Sequence, residues 1–189
     1  MKPFGLVTLL TLLAFAGCNE GPISTKKPVV TKPDARDFGF VGDWEMVPIV
    51  DPVFGPSKTI EEYRISEISK GIYSIEGDSI KNHTVRARAF GIDDKAPKAV
   101  IEFEIVQGDV VEGQCIGVVE RQNDELHLRW IMAKNLIECM EVDGHSAIIE
   151  YSDFLTLPKV TAKPEHLIEC ARKHSSELSD KVVVFRRVD

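Results

Sequence analysis

The sequence predicts a mainly β protein: an antiparallel up-and-down barrel of about eight strands, with a short helix and a second helix before the last strand. Three observations carry this. Apolar and polar residues alternate with period two from Trp44 to Val188, the mark of strands with one buried face. Gly, Asn and Asp punctuate the alternating runs at hairpin spacing. Closing such a sheet on itself removes the exposed edges that invite aggregation.

The elements follow in chain order. Trp44 and Met46 open the first strand, with Asp43 and Glu45 on its other face. Residues 59–68 set Tyr63 and Ile65 between Glu62, Arg64 and Ser66. A Lys70-Gly71 turn leads into Ile72 to Glu76, where Tyr73 and Ile75 share a face. After Gly77-Asp78, residues 81–92 oppose Val85, Ala87 and Ala89 to Arg86 and Arg88. Residues 99–107 oppose Ile101, Phe103 and Ile105 to Glu102 and Glu104, and residues 114–120 carry Ile116 and Val118. Gln122-Asn123-Asp124 turns into residues 125–132, whose Leu126, Leu128, Trp130 and Met132 face away from Glu125, His127 and Arg129. Helical spacing then takes over. Leu136, Ile137 and Met140 mark a helix over 133–141. Pro164 suits the first turn of the next helix, where its missing N–H costs nothing, and Leu167, Ile168, Ala171 and Leu178 form the apolar stripe. Residues 181–188 read as the closing strand.

Composition bounds the function. The 189 residues suit one domain, and 23 basic against 30 acidic side chains give a formal charge of −7. That balance argues against nucleic acid, whose phosphates need a basic face. No uncharged run reaches the roughly 20 residues of a spanning helix, so no transmembrane helix is expected.

The amino terminus reads as an address. Between Lys2 and Glu20 there is no charge, and residues 4–16 are almost wholly apolar, the layout of a secretory signal. Phe15-Ala16-Gly17-Cys18 resembles a bacterial lipobox, with Phe15 standing where Leu is usual. The resemblance implies a lipoprotein signal peptide over residues 1–17 and a membrane anchor of acyl chains on Cys18. Asn19, where many Gram-negative bacteria use Asp for inner-membrane retention, implies the outer membrane, facing the periplasm. Asn19 to Asp37, with Pro22, Pro28 and Pro33, reads as a flexible tether, which leaves residues 38–189 as the domain.

Phe40-Val41-Gly42-Asp43-Trp44-Glu45 resembles the Gly-x-Trp start of lipocalin-like (calycin) barrels. Thr161-Ala162-Lys163-Pro164-Glu165-His166-Leu167, followed by residues 182–187, is similar to the helix and final strand that end uncharacterised bacterial lipoproteins with such a domain. The likeness covers Phe38 to Val188 and implies a fold more than a ligand. It gives Trp44 a packing role at one barrel end.

The chemistry that remains is sparse. The inferred inner face is uncharged, and its candidate pocket residues are Trp44, Tyr63, Tyr73, Ala87, Phe103, Leu128 and Trp130. A barrel of this size either fills itself or holds one small ligand. Arg86 and Arg88 against Glu102 and Glu104 read as charge pairs on a solvated face. His166, Cys170 and His174 recur every four residues along one helix face but have no fourth metal ligand at a recognisable spacing, so no metal is expected. Cys139 and Cys170, on the two helices, are the candidate disulfide; free buried thiols are the favoured case. No nucleophile elbow, zinc-protease, phosphate-loop or dinucleotide motif occurs, so no enzyme, catalytic residue or cofactor is expected. Two readings follow: a lipid-anchored envelope protein binding a small apolar or aromatic ligand, or a non-enzymatic interaction lipoprotein with a filled barrel. Both require the anchor. Cys18→Ala should abolish acylation, read by intact mass, and move the protein out of the membrane fraction unless its signal stays uncleaved.

Overall fold

The computed structural model describes residues 23–25, 28–48, 50–51, 55–56, 60–80, 83–94, 97–107, 110–150, 158–179 and 182–188. The expected signal peptide and the Cys18 lipidation site lie outside these residues. The strands, in chain order, are β1 (Ser24–Thr25), β2 (Gly42–Met46), β3 (Val50–Asp51), β4 (Gly55–Pro56), β5 (Glu61–Ser69), β6 (Ile72–Gly77) and β7 (Thr84–Gly91). They continue with β8 (Lys98–Gln107), β9 (Val110–Gln122), β10 (Glu125–Trp130), β11 (Ile148–Glu150), β12 (Lys159–Thr161) and β13 (Val183–Arg187). Helix α1 spans Ala133–Val142 and helix α2 spans Pro164–His174.

Eight strands close into a barrel in the order β10-β13-β2-β5-β6-β7-β8-β9, every neighbouring pair antiparallel. From β2 to β10 the barrel strands pair in succession, and β13 returns to complete the ring. Two turns need left-handed backbone: Gly71 has φ +70° between β5 and β6, and Asn123 has φ 56° between β9 and β10. Glycine adopts this conformation freely and asparagine more readily than most residues. The β7–β8–β9 register aligns Ala87, Phe103 and Cys115 across one row, and Ala89, Ile101 and Gly117 across the next. Gly117 has no room for a side chain, because Leu128 Cδ1 lies 2.7 Å from where its Cβ would be.

Two cores result. The inner one holds Trp44, Tyr73, Val85, Ala87, Ile101, Leu126 and Leu128, among others. The second lies outside the barrel wall, where Val100, Ile116 and Val118 pack against Leu136 and Met140 of α1 and Leu167 and Ala171 of α2. Ile116 and Val118 therefore face out, and the inward residues of β9 include Cys115 and Val119.

The expected tether is folded where it is described. Ile23, Val29 and Val30 are at most 3% exposed and belong to the outer core. Strand β1 pairs in parallel with β12, and Asp34 N–H donates to Ala89 O at 2.9 Å. Full burial of such side chains stabilises by about 1.5–3 kcal/mol each, enough to hold a segment that shows no periodicity.

Glu102 fastens that segment. Cross-strand neighbours Arg88↔Glu102 and Arg86↔Glu104 are as expected, but the face is covered over both glutamates and stays exposed only at Arg86. Glu102 is 0% exposed, and its carboxylate accepts the backbone N–H of Val29 (3.0 and 3.1 Å) and of Val30 (3.1 Å). Arg88 instead forks onto Glu104, with Nη1 2.8 Å from Oε1 and Nη2 3.1 Å from Oε2. Burial pushes the Glu102 carboxyl above its ordinary value of 4.5, against the pull of the two backbone N–H groups.

Two predictions follow from this packing. Leu128→Ala should cost about 2–5 kcal/mol through lost burial and a residual cavity, whereas outward-facing His127→Ala should stay within about 0.5 kcal/mol; urea melts decide, and comparable losses would refute the β10 register. For Glu102, the folded state holds its proton more tightly than the unfolded chain. Its favourable contribution is therefore full below pH 4.5 and is lost as pH rises through the folded value. Glu102→Gln should remove that loss, so the variant gains stability relative to the parent as pH rises. Melts at a series of pH values check the slope.

Candidate functional site

The inward faces of the barrel leave a cavity of about 90 Å³. This is several times the roughly 10–15 Å³ that admits a water molecule. All seven expected pocket residues line it: Trp44, Tyr63, Tyr73, Ala87, Phe103, Leu128 and Trp130. The alternation of β7 and β8 puts Ala87 opposite Phe103, so a small side chain leaves space beside a large one. Met132, expected on the same face as Trp130, lies beyond β10 at the amino end of α1 and does not reach the cavity. Just past β10, Ile131 N–H still donates to Ile116 O of β9, while Ile131 C=O accepts from Ile23 N–H.

Aromatic pairs shape the wall. Phe38 stacks on Phe40 at 5.3 Å between centroids, and Phe40 meets Tyr73 at 5.7 Å. Phe103 tilts against Trp130 at 5.2 Å, and Phe185 meets Tyr63 edge-on at 5.7 Å. Outside this ring, the Arg187 guanidinium lies 5.7 Å from the Trp44 ring.

The wall is neutral. Burial, with Glu67 beside it, pushes the Tyr73 hydroxyl up to about 12, and burial pushes the Cys115 thiol up to about 12. Burial likewise raises Tyr63, whose hydroxyl hydrogen-bonds Glu61 and lies 3.1 Å from Ser79 Oγ. Trp44 Nε1 donates to Phe40 O at 2.8 Å, which is packing rather than recognition. Trp130 differs: its Nε1 is buried and has no hydrogen-bond partner among the described residues. A cavity so lined can select an apolar or aromatic molecule and offers no charged group to activate one.

Several wall residues escape sequence reasoning. Phe40 and Ile80 lie outside the alternating runs, β9 is apolar at both Val118 and Val119 so its facing is ambiguous there and at Cys115, and Val183 and Phe185 share a strand that is apolar on both faces.

The histidine and cysteine positions regroup. His166 stacks on His145 with centroids 3.8 Å apart, and among the described residues it joins no set of converging ligands. His174 converges instead with Cys139 and Glu177. Cys139 and Cys170 are adjacent across the two helices and are free thiols, as is Cys115. No protein family, curated protein or solved structure matches this chain.

Proposed function

We propose that this chain is a lipid-anchored bacterial envelope protein whose barrel holds a small, neutral, apolar or aromatic molecule. The observation that carries the ligand is the cavity itself: an uncharged space inside the barrel, lined by Trp44, Tyr73, Phe103 and Trp130 among others. Interiors are close-packed, and unfilled apolar volume costs stability, so a retained cavity asks for an occupant. Its size sets the class. At about 90 Å³ it is well below the roughly 300–1,000 Å³ of pockets for drug-sized ligands, which favours one aromatic ring or a short acyl chain. The anchor rests on the lipobox-like Phe15-Ala16-Gly17-Cys18 and the signal before it, and the barrel on a calycin-like plan.

The same small volume favours a second reading, an interaction lipoprotein with a filled barrel that works through its surface. Tryptophan fluorescence with toluene as the probe separates them. The first reading expects a saturable change that Ala87→Leu, which fills the cavity, removes while the circular dichroism stays that of the parent. No saturable change in the parent, or an equal change in Ala87→Leu, would overturn it in favour of the second.

A further inference from the structure

Helices α1 and α2 cross over the outer face of the barrel, and their contact gathers chemistry that the cavity does not use. Cys139 comes from α1, Cys170 and His174 lie one turn apart on α2, and Glu177 lies in the turn that follows. Ligand atoms of Cys139, His174 and Glu177 lie within 4.8 Å of one another. The Cys170 thiol donates a hydrogen bond to the Cys139 sulfur, which puts a second sulfur beside the group.

His174 stands between two carboxylates. Nδ1 is 3.1 Å from Glu177 Oε2, and Nε2 is 3.6 Å from Asp143 Oδ1. That Nε2 and Asp143 Oδ2 are both buried and have no hydrogen-bond partner among the described residues. Buried polar atoms are paired in nearly all native structures, so the ring and Asp143 are short of partners on that side.

We propose that Cys139, His174 and Glu177 bind a zinc-type divalent cation that clamps α1 to α2, with Cys170, hydrogen-bonded to Cys139 but outside the converging set, turning in as the fourth ligand. Two sulfurs, an imidazole and a carboxylate are the four donors that a tetrahedral ion of intermediate softness prefers. Nδ1 faces the Glu177 side of the group and so meets the ion, while Nε2 turns to Asp143, the carboxylate–histidine–metal arrangement that orients a ligating ring. Binding is a proton exchange. Each thiol gives its proton to water as its sulfur ligates the ion, and nothing is oxidised. Burial raises both thiols, so without the ion they are neutral and sit side by side without repulsion. Lys173 pairs with Asp143 (3.2 Å) and Glu169 (3.0 Å), which partly balances the acidic groups around the site.

The test uses the full chain, reduced and stripped of metal, titrated first with Co²⁺ and then with Zn²⁺. The expected result is a cobalt–thiolate charge-transfer band that saturates at a single equivalent and is displaced by zinc. Cys139→Ser should abolish the band. Because replacing a buried cysteine can unfold the helix pair, His174→Gln and Glu177→Gln, closer to solvent, keep the test open. With circular dichroism unchanged, each should weaken zinc binding by more than about tenfold, since losing a supporting residue alone costs about 10–100-fold. Three results would overturn the site: cobalt binding with no thiolate band, zinc affinity unchanged in both variants, or a Cys139–Cys170 disulfide in protein taken from its own host.

Discussion

Strands β8 and β9 are a wall shared by two cores, and that double burial constrains everything around them. A strand with one wet face tolerates any polar residue there. Here Ile101, Phe103 and Cys115 face the cavity while Val100, Ile116 and Val118 face the helices, so neither side is free to change. A slip of one residue would exchange the faces and press Glu102 and Glu104 into the barrel, so the register is held from both sides. Glu102 and Glu104 are buried charges of β8, Glu102 satisfied by the N–H groups of Val29 and Val30 and Glu104 by Arg88. An apolar residue in place of Glu102 would leave its two donors buried and unpaired, which costs more than a hydrogen bond contributes.

Much of the barrel was legible because its information is local. The run Ile101, Glu102, Phe103, Glu104, Ile105 states its own alternation, and Lys70-Gly71 and Gln122-Asn123-Asp124 state their turns. All seven expected pocket residues line the cavity, since facing follows from period two once the strand is placed. What was illegible depends on partners distant in sequence. Ile23, Val29 and Val30 look like isolated apolar residues in a proline-bearing stretch, and only the outer face of β8 and β9 gives them a place to pack. The alternating Glu102 and Glu104 resemble a solvated pattern because nothing near them announces the segment that covers them. Cys139 joins His174 only when two helices meet, so a search along one helix returned His166, which stacks on His145 instead.

The interior also shows how a barrel regulates its own capacity. Ala87 and Ala89 withdraw volume from one stretch of wall, while Trp44, Tyr73, Phe103 and Trp130 return it from others. The result is a space set by a few side chains rather than by the strand number, so its size can change without altering the backbone. Neutral walls follow from the same burial, since each phenol or thiol there is held in its protonated form.

The strand that completes the ring is the last to be made. β2 through β10 can pair with neighbours as each hairpin emerges during synthesis, but β13 must insert between β10 and β2, across the whole span of the barrel. Until β13 is in place, β2 and β10 therefore each keep one edge without a partner. Such long-range closure is slow, because its loop entropy is spent before the contacts return it. The protein's most vulnerable interval is thus the one before β13 docks, when whatever shields the open edges of β2 and β10 protects its yield.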